Sequence, residues 1–147
     1  MTACRGGVAM RSVLLVASVV ALCGTPMLSH HAAQAQFEMA KTIVLTGVLT
    51  KMEWINPHAY MHLNVKDSSG EVAWALETVA PQVLRRVGLR RGPGSIAAGD
   101  TYTVRAFPSR DGSKTALIAD LKMPDGRTIS LLNVAEFGLP KDFEVPK

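Results

Sequence analysis

The sequence predicts an all-β fold, a small barrel of five to six strands with one short helix between the third and fourth strands. Three observations carry that reading. Short stretches rich in β-branched or alternating apolar residues follow one another from Thr42 onward, each bounded by a turn signal such as Asn56-Pro57 or Asp125-Gly126. One stretch, Ala80 to Gly88, breaks that pattern with helical spacing.

The first strand is "KTIVLTGVLTKMEWI", Lys41 to Ile55, long enough to bend, with Gly47 in its middle expected to form a bulge or bend. Asn56-Pro57 ends it, because proline removes a ladder donor and asparagine stabilises a tight corner. The second strand, "HAYMHLNVK", alternates cleanly: Ala59, Met61, Leu63 and Val65 face one side, and His58, Tyr60, His62 and Asn64 the other. After "DSSG" the third strand, "EVAWALE", places Val72, Trp74 and Leu76 on its apolar face. With Ser68-Ser69 as the hairpin tip, Val65 faces Val72, Leu63 faces Trp74, and Met61 faces Leu76. A slip of one residue would turn one apolar set outward, so this register is strongly specified.

In "APQVLRRVG", Pro81 suits a first helical turn, Val83, Leu84 and Val87 form a stripe, and Gly88 suits the position after the end. A glycine-rich loop leads to a strand from Thr101 to Phe107. "PSRDGS" turns the chain into a strand from Lys114 to Met123, and "PDGR" into a last short one, Thr128 to Leu132. Three strands, a helix, then two or three strands is the order of an OB-like barrel. The domain is expected over 36–132, followed by a C-terminal tail, 133–147, that shows no clear period and is expected to be loosely held.

The N-terminus reads differently. Arg5 and Arg11 precede the apolar run Val13 to Cys23, and small and polar residues follow, the pattern of a signal peptide for export to the periplasm or beyond. The run falls short of the roughly 20 apolar residues a spanning helix needs, so no permanent transmembrane anchor is expected. Cleavage is expected after Ser29, or alternatively after Ala35 within Ala33-Gln34-Ala35. Both cysteines, Cys4 and Cys23, lie in the segment removed, which leaves no disulfide or thiolate chemistry. Removing 1–35 takes away two arginines and no acid, so the formal charge falls from +4 to +2, too mild to argue for nucleic acid.

Four histidines carry whatever imidazole chemistry the chain has: His30, His31, His58 and His62. On a strand His58 and His62 point the same way but lie about 13 Å apart at roughly 3.3 Å per residue, too far to share one ion. Glu77 stands opposite Tyr60, within side-chain reach of both. Trp54, Asn56, His58, Tyr60, His62 and Glu77 therefore form the expected surface for an unknown protein partner or small ligand. A metal site would need His58 and Glu77 joined by His30 or His31. With His30 as the mature N-terminus, its amine and imidazole would chelate copper. Trp54 and Trp74 are expected to pack in the core, and Arg85, Arg86, Arg90 and Arg91 to cap the helix end, with an anion site as the alternative. Hydrolase, nucleotide and thiol-enzyme motifs are missing, so the chain reads as non-catalytic, with a His58–Glu77 hydrolase as a remote alternative.

From His30 to about Ser130 the chain resembles a family of bacterial exported proteins catalogued as domain of unknown function 6152. The resemblance rests on "HH" followed by Phe37-Glu38, on "LTGVLTKMEWINPHAYMHLNVKD", on "WALETVAPQVLRRVG", on "AAGD", and on "RDGS" with "DGR". It implies a small periplasmic β-barrel of no established activity. It also implies that His30 and His31 survive cleavage, because members carry His-His-Ser-Phe just after the signal. Here "HHAAQAQF" replaces that motif.

Overall fold

The structure is a computed structural model and describes residues 33–138 and 140–141. The apolar N-terminal run, both cysteines, His30 and His31 lie outside the described residues. Six strands form the sheet: β1 (Ile43–Glu53), β2 (Tyr60–Asp67), β3 (Gly70–Glu77), β4 (Thr101–Pro108), β5 (Thr115–Lys122) and β6 (Thr128–Ser130). One short helix, α1 (Pro81–Arg86), lies between β3 and β4, and a 3-10 turn (Val134–Phe137) follows β6. Strand order is β3-β2-β1-β4-β5-β6, and a parallel pairing of β3 with β5 closes the first five strands into a barrel with β6 added outside. The sequence-predicted architecture is the observed one.

The hairpin of β2 and β3 has the register expected from alternation, from Tyr60 opposite Glu77 to Asp67 opposite Gly70. Its inward set meets the buried residues of β4 and β5: Met61, Leu63, Leu76, Tyr102, Val104 and Ile118 are all at most 1 % exposed. Each such side chain contributes roughly 1.5–3 kcal/mol by leaving water. Tyr102 keeps its hydroxyl satisfied inside the core by donating to the Ser95 carbonyl and accepting from the Ala97 N–H.

β1 serves two neighbours. Ile43–Val48 pair with β4 and Gly47–Glu53 with β2, so Gly47 belongs to both ladders. A Cβ at Gly47 would lie 2.5 Å from the Asn64 carbonyl oxygen, which explains the glycine by close backbone approach. The bulge expected at Gly47 falls instead between Leu49 and Lys51. The end of α1 also differs in part. The Gly88 N–H bonds to the Arg85 carbonyl and the Leu89 N–H to that of Leu84, with Gly88 at φ +86°. That reversal turns Leu89 into the core and leaves Val87, expected in the helix stripe, 40 % exposed.

A second apolar cluster covers the outer face of β4 and β5. Phe37 and Met39 from the N-terminal segment and Val134 from the 3-10 turn bury Phe107, Leu117 and Ala119, and Phe137 sets its ring edge-on to Phe107 at 5.4 Å. The described part of the tail is therefore held, contrary to expectation, and the hold continues past the 3-10 turn. Arg105 is buried on β4 with its guanidinium on Asp120 of β5 at 2.6 Å, and it donates onward to the Pro140 and Lys141 carbonyls at 2.8 and 3.3 Å.

Arg105→Ala leaves the Asp120 carboxyl buried without its partner, and is expected to destabilise the domain by about 3–5 kcal/mol. The midpoint of urea denaturation measures it. Adding Asp120→Leu recovers part of the loss, because the stranded carboxylate is the larger share of it.

Candidate functional site

The β2–β3 ladder sets Tyr60 beside Glu77, and two further backbone bonds continue the pairing past the strand ends. Thr78 donates its N–H to the Ala59 carbonyl at 2.9 Å, and Ala59 donates to that of Val79 at 3.3 Å. With Ala59 buried, His58 is held over Glu77. The His58 Nδ1 contacts Glu77 Oε1, and the Tyr60 hydroxyl donates to Glu77 Oε2 at 3.2 Å. Glu77 is only 12 % exposed and His58 49 %, so the carboxylate sits beneath a largely open imidazole. Burial, and then the charge of Glu77, push the Tyr60 phenol above its ordinary pKa.

His62 does not join this patch. Its Nε2 lies 3.0 Å from Glu53 Oε1 on β1, and Lys51 Nζ holds the same oxygen at 2.7 Å. The bulge in β1 sets Lys51 opposite His62 and Glu53 opposite Tyr60, which makes Glu53 the diagonal neighbour of His62. The Lys51 hydrogen bond, with His62 helping, keeps the Glu53 carboxyl below its usual range. Asn64 donates to Glu71 Oε1 at 2.6 Å, so the outward row of β2 is a file of hydrogen-bonded polar groups, each contact worth a few tenths of a kcal/mol.

Beside this row a groove of about 540 Å³ crosses β1, β2 and β3 to the start of β5, with Thr50, Lys51, His62, Asn64, Trp74 and Lys114 on its walls. Lys114 Nζ lies 5.3 Å from the centre of the Trp74 ring, within cation–π range. Trp74 packs against the core and also borders a second hollow of about 430 Å³ that includes Lys41 and Arg110. Lys51, Glu53, Asn64 and Lys114 were not among the residues the sequence pointed to. The alternating charges of "KME" were the one available signal for the first two.

The remaining expected residues are dispersed. Asn56 is exposed at the cis Asn56–Pro57 bend. Trp54 packs against the core with its indole N–H buried and without an acceptor among the described residues. Among the described residues no group of three or more His, Cys, Asp or Glu is placed to hold a metal ion, so His58 and Glu77 supply two donors and no more.

Glu77→Gln removes a charge that opposes ionisation of Tyr60. An ultraviolet pH titration of the chain's two tyrosines is expected to show one phenol ionising at lower pH in the variant. The other, Tyr102, is raised chiefly by burial and should stay where it was.

No helix among the described residues is long and apolar enough to cross a membrane. No curated protein matches the chain. A family described as "Family of unknown function (DUF6152)" matches residues 17–119, which include β1, β2, β3, α1 and β4 and reach into β5. The chain, a closed β-barrel with a polar β2–β3 wall, thus belongs to the DUF6152 family of unknown function.

Proposed function

We propose that the protein is an exported, non-catalytic binding module of the bacterial cell envelope that holds a polar ligand or partner against the outward wall of β1, β2 and β3. The groove over that wall carries the reading. OB-type barrels bind their ligands on the same strands, between the β1–β2 and β4–β5 loops, and here the groove runs to Lys114 at the end of the β4–β5 loop. The support is an analogy of fold joined to the local chemistry. Lys51, His62, Asn64 and Lys114 offer hydrogen-bond donors, and Trp74 an apolar ring between the two hollows. Around His58 and Glu77 the third member of the network is Tyr60, a phenol shifted away from the anionic form, which suits recognition better than nucleophilic attack. Export rests on the basic and apolar pattern of the N-terminal segment.

Titrating the isotope-labelled protein with soluble oligosaccharides and with short peptides, followed by amide NMR, tests the reading. Shifts should cluster on 50–53, 60–64, 73–75 and 114–115, and Trp74→Ala should weaken binding at least about tenfold, or about 1.4 kcal/mol. Shifts confined to another face, or conversion of a ligand that stops with His58→Ala, would overturn it.

A second reading, copper binding, is favoured by the half-open His58 imidazole beside Glu77. Two donors need a third, and His30 or His31 would supply it. The expected outcome is one Cu(II) retained by protein exported with its own N-terminal segment and released by His58→Ala. Native mass spectrometry reads both, and copper retention unaffected by His58→Ala removes this site.

A further inference from the structure

Away from the polar wall, Trp54, Arg85, Arg90 and Arg91 line a cleft of about 260 Å³. The chain reversal after α1 brings these arginines together. Leu89 is buried as an anchor, the Arg90 N–H donates to the Ser95 hydroxyl oxygen and its carbonyl accepts from the Ile96 N–H, and Gly92 donates to the Ile96 carbonyl. The guanidinium groups therefore spring from fixed backbone, which lowers the entropy lost on binding. None of the three makes an ion pair with a carboxylate among the described residues, in contrast to Arg105, Arg110 and Arg127.

Like charges gathered at one cleft repel unless an anion joins them, and planar guanidinium groups match the oxygens of a phosphoryl group. Trp54 adds a donor in search of an acceptor, since its indole N–H is buried without one. The flanks add a third observation. Ile55, the residue after Trp54, is 49 % exposed and Val87, two residues past Arg85, 40 %, two large aliphatic side chains left in water close in sequence to the cleft residues. Arginine for the phosphate, tryptophan at headgroup depth and aliphatic side chains toward the acyl region form the pattern of an interfacial membrane contact.

We propose that Trp54, Arg85, Arg90 and Arg91 form a binding site for the phosphoryl group of an anionic phospholipid, flanked by Ile55 and Val87, which seats the barrel on a membrane surface. The site is separate from the groove on the β2–β3 wall and stands or falls independently of it.

The test uses phosphatidylcholine vesicles with and without phosphatidylglycerol, co-sedimentation, and the emission of Trp54 in a Trp74→Phe background. The expected result is binding to the anionic vesicles alone, a blue shift of Trp54, and competition by inorganic phosphate. Arg85→Lys, Arg90→Lys and Arg91→Lys combined keep the charge but lose the fork geometry, and should weaken binding at least about tenfold. Their side chains are exposed, so an unchanged melting temperature shows that folding is intact. Undiminished binding by the triple variant would reduce the effect to net charge and overturn the site. Saturable binding of phosphate without vesicle binding would overturn the membrane assignment, and binding of neither would overturn both.

Discussion

Three residue pairs, Ala75 with Thr115, Leu76 with Ala116 and Glu77 with Leu117, close the sheet on itself, and the geometry of the polar wall depends on them. Parallel pairing of β3 with β5 fixes the end of β3 from one side while the antiparallel ladder to β2 fixes it from the other. Glu77 is the last residue of both ladders. Its backbone is paired on both sides, so its carboxylate is presented to His58 and Tyr60 from a fixed register, an ionisable group seated where a barrel is sealed. The placing of His58, Tyr60 and Glu77 together thus follows from the pairing that ends β3. Moving β3 by one residue against β2 would take Glu77 away from both partners at once.

A different constraint governs the opposite part of the wall. β4 and β5 are buried on two faces, inward against the barrel core and outward beneath Phe37, Met39 and the 3-10 turn. Two-sided burial leaves little room for polar groups, yet Arg105 and Asp120 lie within it. They are tolerated because they satisfy each other and because Arg105 also supplies donors to the carbonyls of the C-terminal segment. One ion pair thereby links β4, β5 and the tail. Similar logic holds the N-terminal segment, where Arg110 donates to the Gln34 carbonyl and to Glu38.

Alternation with one hydrophobic face, together with the Ser68-Ser69 hairpin tip, specified the β2–β3 register, because a one-residue slip would bury a polar row. Gly88 marked the end of α1 because a left-handed position there admits few other residues. The partner of His62 was hidden, since it depends on a bulge in β1 that shifts the ladder by one residue and no residue type at Thr50 announces it. The grip on the tail was hidden for another reason. Arg105 binds main-chain carbonyls, and a carbonyl looks the same at every position. Trp74 shows a milder limit: its place on the apolar face was legible, but not that the barrel leaves it between two hollows.

The uneven covering of the sheet sets how the molecule breathes. Strands covered on both faces can exchange their amide hydrogens only when the whole domain opens, whereas the β2–β3 hairpin ends in an exposed tip, Lys66 to Glu71, and is bare on one side. Fluctuation is therefore graded along the barrel: a stiff spine at β4 and β5, and a wall at β2 and β3 able to yield at its tip. A groove on the yielding wall can adjust to what enters it without loosening the spine, and the barrel need not unfold for its surface to adapt.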